Sequence, residues 1–164
     1  MITRHADDFF AYAKTLDLDF SSATAKAVFV VSPIGFALAE QSARDNRYMQ
    51  MGQVTDAQQA IMEHQQLQAA LRQHCPVICF PGDPNMPDSV FPNNVFATAE
   101  GKFIIGHMRH PVRQKEATRT DIRRFMTEVM QREEIDLSSQ PGICELTGSL
   151  IIDRARGIGF CGLS

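Results

Sequence analysis

The sequence predicts an α/β chain (α+β in the looser sense) built from a repeated ββαβ-like unit of about sixty residues. Three observations carry this expectation. Short β-branched runs are closed by Pro or Gly, two stretches place apolar residues at helical spacing, and paired apolar runs flank tight turn signals. Along the chain they give strand, helix, strand, hairpin, helix, strand, hairpin. The last hairpin opens a third unit at the end of the 164 residues, and a hairpin with nothing to pack on is marginal.

The elements follow in order. Residues 1–26 are weakly patterned and form an N-terminal extension of no assigned structure. AVFVVSP (27–33) is a buried strand ended by Pro. A long polar connection over 34–54, with a short helical piece, has the length of a binding loop or lid. TDAQQAIMEHQQLQAALRQH, from Thr55, is a helix capped by Thr55 or Asp56, with Ala57, Ala60, Ile61, His64, Leu67 and Leu71 on one stripe. PVICFP (76–81) is the next buried strand. VFATAEGKFIIGHM turns at AEG as a hairpin. A second amphipathic helix covers about 116–133, through Ile122, Phe125, Met126, Val129 and Met130. IDLSS is a short strand, and ELTGSLIIDRARGIGFCGLS is another hairpin. The units so defined run about 27–85, 86–142 and, begun only, 143–164.

Composition narrows the function classes. The net charge is −3, without the basic excess that nucleic-acid binding requires and without an acidic run. The apolar stretch AVFVV is far too short to span a membrane. The N-terminal MITRHADDFF carries acidic residues where a signal peptide needs an apolar core, so a cytoplasmic location is expected. Four cysteines, Cys75, Cys79, Cys144 and Cys161, show no CxxC pair and no zinc-like spacing. Cys75 and Cys79, on one strand, stand roughly 13 Å apart and cannot bridge. The expectation is buried, reduced thiols, with neither metal nor cofactor.

Three polar points stand beside the predicted strands. Asp88 lies in MPDSVFPNNVF (86–96), the Asn93–Asn94 pair follows in the same stretch, and Glu145 precedes an apolar run. Prolines and asparagines mark turns, yet Val90, Phe91, Val95 and Phe96 call for burial, so polar groups enter the core here. Carboxylates and amides grouped this way match a planar group with several N–H donors. The same residue types serve equally as turn caps. His107 and His110 in GHMRHP have a spacing that would bind metal on a helix, but Gly106 and Pro111 argue for a loop or strand end with solvated histidines. Arg109 and Arg113 have the charge to hold a carboxylate or to decorate the surface. No complete nucleophile–base pair is evident, because Cys144 and Glu145 are neighbours on a strand and point to opposite faces.

MPDSVFPNNVFA, with ELTGSLIIDR about fifty residues on, resembles the arginine deiminase and amidinotransferase (pentein) superfamily of guanidine-modifying enzymes. Within it the pattern is most similar to the citrulline-utilisation hydrolases, with their PDSVFPNNW-type and LEGTGS-type segments. The string PxxF...E...A..N at 33–46 resembles their N-terminal loop. Dimethylarginine dimethylaminohydrolases show a related pattern with an acidic pair at the place of Asn93 and Asn94. The resemblance spans residues 27–164. It implies a partial α/β-propeller, about half of a five-unit ring. It implies that Asp88, Asn93 and Asn94 bind a guanidino or ureido amino acid, that Arg113 holds its carboxylate, and that Glu145 is a catalytic residue bonded to the planar group. The family's catalytic His and Cys belong to later units, and Cys161 does not match the nucleophile's position. Leu146 replaces a small Gly after the acid, and Ala39 stands where relatives have Asn. The implied chain is a hydrolase or transferase half lacking its catalytic pair, or else a non-catalytic binding module of the same fold. Its exposed propeller edges favour self-association.

Overall fold

The computed structural model describes residues 24–44 and 56–162, together with His5, Asp7, Asp8, Ala11 and Thr15. Most of the expected N-terminal extension, and the connection from Asp45 to Thr55 with its Asn46, lie outside the described residues.

Strands β1 (Val28–Val31) and β2 (Val77–Phe80) are parallel, in register from Val28 opposite Val77 to Val31 opposite Phe80. A parallel pair needs a long crossover. This one contains α1 (Glu40–Ala43) and α2 (Ala57–Leu71). Asp56 caps α2, one carboxylate oxygen accepting from the amides of Gln58 and Gln59 at 2.9 Å each. The expected apolar stripe needs correction. Leu67 and Ala57 are exposed, and Gln68 takes the buried position. Gln68 is satisfied there, with Nε2 3.0 Å from His64 Nδ1 and Oε1 accepting from Arg72 Nη2 at 2.7 Å. Because a guanidinium only donates, Arg72 sets the amide so that its NH2 faces His64.

Strands β3 (Phe96–Ala99) and β4 (Lys102–Ile105) form the predicted hairpin, turning at Glu100 and Gly101, and β5 (Glu133–Asp136) lies parallel to β4. The strand expected at 135–139 thus starts two residues earlier. The single helix expected over 116–133 is instead a relay: α3 (Pro111–Gln114), a 3-10 turn (Lys115–Thr118), α4 (Thr120–Arg124) and a π turn (Phe125–Val129). Ile122 and Met126 are buried and Phe125 packs against the core, but Val129 and Met130 are exposed. The wider π turn moves them off the stripe, while the 3-10 turn buries Glu116 and Ala117. Farther on, α5 (Leu146–Ser149) leads into the antiparallel hairpin of β6 (Leu150–Asp153) and β7 (Ile158–Cys161).

One core joins the first two sheets. Val31 and Phe80 meet Val95, Phe96, Phe103, Ile105, Met108, Ala117, Ile122 and Met126. Phe80 is the joint: its ring lies edge-on to Phe29 at 6.0 Å and to Phe125 at 5.6 Å. The cysteines depart from expectation. All four are free, but Cys79 on β2 and Cys161 on β7 are exposed, while Cys75, which precedes β2 rather than sharing it, and Cys144 are half-buried. Among those residues no helix is long and apolar enough to cross a membrane.

Candidate functional site

The stretch from Asp83 to Val95 is a run of overlapping turns. Met86 N–H bonds Asp83 O, Ser89 bonds Met86, Phe91 bonds Asp88, Asn94 bonds Phe91 and Val95 bonds Pro92, at 2.9–3.4 Å. Pro92 starts a 3-10 turn through Asn94, where a missing N–H costs nothing. This is how polar residues enter the interior: the prolines set the turns, and the turns satisfy the backbone.

Asp88 is 5 % exposed. Its Oδ2 accepts from the Ser42 hydroxyl on α1. The preceding segment lies on the same loop, with Phe36 edge-on to Phe91 at 6.0 Å, and Gln41 Oε1 accepts from Val112 N on α3 at 3.2 Å. Beneath the loop is a buried ion pair. Arg113 Nε and Nη2 donate to the two carboxylate oxygens of Glu116 at 2.9 and 3.0 Å. Nη2 also donates to Phe91 O at 3.0 Å and Asp88 O at 3.4 Å. Glu116 is 2 % exposed. Burial pushes its carboxyl above the ordinary value, and the negative Asp88 adds to this against the pull of Arg113. Arg119 leans on the same corner, paired with Asp121 and donating to Pro81 O at 3.0 Å.

The Asn pair meets the second motif. Asn93 Nδ2 donates to Thr147 Oγ1 at 2.6 Å, and the Thr147 hydroxyl faces Asn93 O at 2.9 Å. Asn94 Nδ2 lies 3.2 Å from where a Cβ on Gly148 would stand, so this turn accommodates Asn94 through a missing side chain. Glu145 Oε1 accepts from the Arg109 amide at 3.1 Å. The backbone bridge beside it, His107 N to Cys144 O at 3.0 Å and Cys144 N to His107 O at 2.9 Å, ties the Glu145 segment to the end of β4. Gly106 permits that approach: a Cβ there would stand 2.4 Å from Cys144 O and 3.0 Å from Leu146 Cγ. Leu146, 1 % exposed, fills the notch.

The structure therefore brings Asn93 and Asn94 against the Glu145–Ser149 turn, and sets Asp88 over Arg113 at the other end of the same loop. Sequence reasoning missed Ser42, Thr147 and Glu116. The last had a signal, an Arg–acid pair at i, i+3, but the 3-10 turn that buries it had none.

Sequence reasoning also missed that His107 stands directly across the bridge from Cys144. They do not form a nucleophile–base pair in this arrangement. His107 Nδ1 lies 2.6 Å from Gly142 O and Nε2 3.4 Å from Gln114 Nε2, and burial pushes the Cys144 thiol up rather than down. A cleft of about 410 Å³ opens between β3 and β6 where the two loops meet, lined among others by Phe29, Asn93, Phe96, Leu146, Thr147 and Ile151. Among the described residues no group of three or more metal-binding side chains is assembled.

A parallel pair, one mixed sheet and a hairpin, with two polar loops converging beside them, make a fold shared with solved structures of an arginine dihydrolase and a dimethylarginine dimethylaminohydrolase. The chain belongs to the N,N dimethylarginine dimethylhydrolase family, whose eukaryotic family model matches residues 32–164. No curated protein matches it by sequence. It superposes on apo ArgZ, an arginine dihydrolase from the ornithine-ammonia cycle in cyanobacteria, with a TM-score of 0.68 at 17% identity, covering 83% of this chain and 20% of that one. The product-bound N-terminal domain of ArgZ gives 0.65 at 16%, covering 83% and 48%. A dimethylarginine dimethylaminohydrolase adduct with S-methyl-L-thiocitrulline gives 0.57 at 19%, covering 77% and 46%. At these identities the likeness is one of fold. The chain spans about half of the last two, with 48% and 46% covered, and a fifth of full-length ArgZ, with 20% covered.

Proposed function

We propose that this chain forms part of a site for a guanidino or ureido amino acid, of the arginine, dimethylarginine or citrulline class, on a partial α/β-propeller with units at about 27–85, 86–142 and 143–164. The observation that carries the reading is the convergence of the PDSVFPNN and ELTGS segments through Asn93, Asn94, Thr147 and Gly148. The acceptor oxygens of Asp88, Asn94 and Glu145 match the N–H edge of a planar guanidinium or urea. Arg113 Nη1, with no hydrogen bond among the described residues, has the charge for the ligand's carboxylate.

In the lineage reaction a thiolate adds to the central carbon of that planar group, an amine leaves with a proton from a general acid, and water or an acceptor amine then displaces the thiol. The Arg109 amide aims Glu145, placing it to bond the group and to orient a general base. Cys144 and His107 lack the activated geometry such a step needs, which supports binding without turnover by the described residues. It also favours the second reading, a non-catalytic binding module of the same fold. The experiment is calorimetry and detection of released ammonia and dimethylamine on the 164-residue chain with L-arginine, L-citrulline and NG,NG-dimethyl-L-arginine. Saturable binding lost in Glu145→Ala, without release of either amine, is expected. No binding of any of the three overturns the site, and Glu145-dependent release of ammonia or dimethylamine overturns the absence of turnover.

A further inference from the structure

We propose that Glu116 is a positioning residue of this site, acting through Arg113 to hold the Asp88–Asn94 loop in its binding shape. The inference rests on the reading of that loop as part of a ligand site. Arg113 performs two tasks with one guanidinium. Nε and Nη2 engage both oxygens of Glu116, and Nη2 reaches on to the carbonyls of Asp88 and Phe91. Those carbonyls also close the two successive turns that end at Asn94, accepting from Phe91 N at 3.0 Å and from Asn94 N at 3.4 Å. Nη2 is therefore a second donor on the two carbonyls that set the spacing between Asp88 and Asn94.

A guanidinium on a long side chain has many rotamers, and a bidentate carboxylate selects one of them. Glu116 sits in the 3-10 turn that follows Arg113, outside the Asp88–Asn94 loop itself, and Asp88 is also held by Ser42. Removing Glu116 leaves Arg113 buried without its counter-charge. The guanidinium then turns toward solvent or toward Asp88, and either motion releases the Asp88 and Phe91 carbonyls. The loop would loosen while the β3–β4–β5 sheet, whose hydrogen bonds do not involve Arg113, stays closed.

Hydrogen exchange and L-citrulline calorimetry on Glu116→Ala and Glu116→Gln test this. The amides of Ser89, Phe91 and Asn94 are expected to exchange about tenfold faster in Glu116→Ala, with β4 amides unchanged. Glu116→Gln keeps the shape and one acceptor oxygen, so it should give a smaller acceleration and serves if the alanine variant does not fold. The Kd for L-citrulline is expected to rise in the same order. Equal acceleration in the loop and in β4 would assign Glu116 a purely global role and overturn the proposal, as would an unchanged loop. If the unsubstituted chain binds no L-citrulline, the ligand reading falls, and the exchange data alone decide whether Glu116 holds the loop.

Discussion

The two antiparallel hairpins of this chain are similar in length and apolar character but differ in burial. In β3–β4, Phe103 and Ile105 have no exposed surface and the rings of Phe96 and Phe103 stack at 5.5 Å. In β6–β7, Ile151 is 71 % and Phe160 44 % exposed. The first hairpin has β5 alongside and a crossover helix over it; among the described residues the second has neither. Strand pattern therefore determines pairing, while burial depends on the third strand and the helix. The site inherits the difference, because Asp88 is anchored in the buried unit and Glu145 stands at the root of the exposed hairpin.

Phe103→Ala should be the most damaging change, costing about 3–5 kcal/mol in urea unfolding, while Phe160→Ala should cost under about 1 kcal/mol. Similar losses at both positions would break the comparison. Gly106→Ala comes next. The Cβ must displace the Cys144 carbonyl, so the bridge to β4 should open at about 1–3 kcal/mol. Exchange should then rise in 144–162 and hold in β3 and β5. Thr147→Val removes the Asn93 contacts for about 1 kcal/mol and should weaken ligand binding more than it lowers the melting point.

The smallest effect is pH-dependent and lies in the buried region. Burial holds the His64 imidazole below its ordinary value, against the hydrogen bond it donates to the Val31 backbone carbonyl, which raises it. A lowered folded value means the folded state binds that proton less well than the unfolded chain. This stability is intact above the ordinary imidazole range and is lost as pH falls through it. Urea midpoints at about pH 7.5 and about pH 5.5 should therefore differ more in the unsubstituted chain than in His64→Gln.

Strand positions, the hairpin turn at Glu100–Gly101 and the Asp56 cap were legible because each depends on a few adjacent residues. The face of α2 was not. Leu67 and Gln68 exchange the roles that hydrophobicity assigns them, because Arg72 and His64 satisfy the amide from one turn away on each side. The crossover over β4 was misread for a related reason: its switch from 3-10 to α to π changes the period within a single apolar stretch, and no fixed spacing describes it. In the two polar loops, Asp88, the Asn pair and Glu145 stand out by residue type alone, as candidates. Ser42 and Thr147 lay hidden, being ordinary hydroxyl residues whose importance comes from contacts 46 and 54 positions away.

The overlapping turns between Asp83 and Val95 have a consequence for how this segment can vary. Each closure spans three residues and shares its atoms with a neighbour, so the loop has no slack. Adding or deleting one residue would put Asp88 and Asn94 out of phase and uncover several backbone groups at once. Side chains there can be exchanged, but length cannot. In a library of single-residue insertions the span should be empty of folded members, while the turn at Arg154–Gly157, between the exposed strands β6 and β7, should accept them.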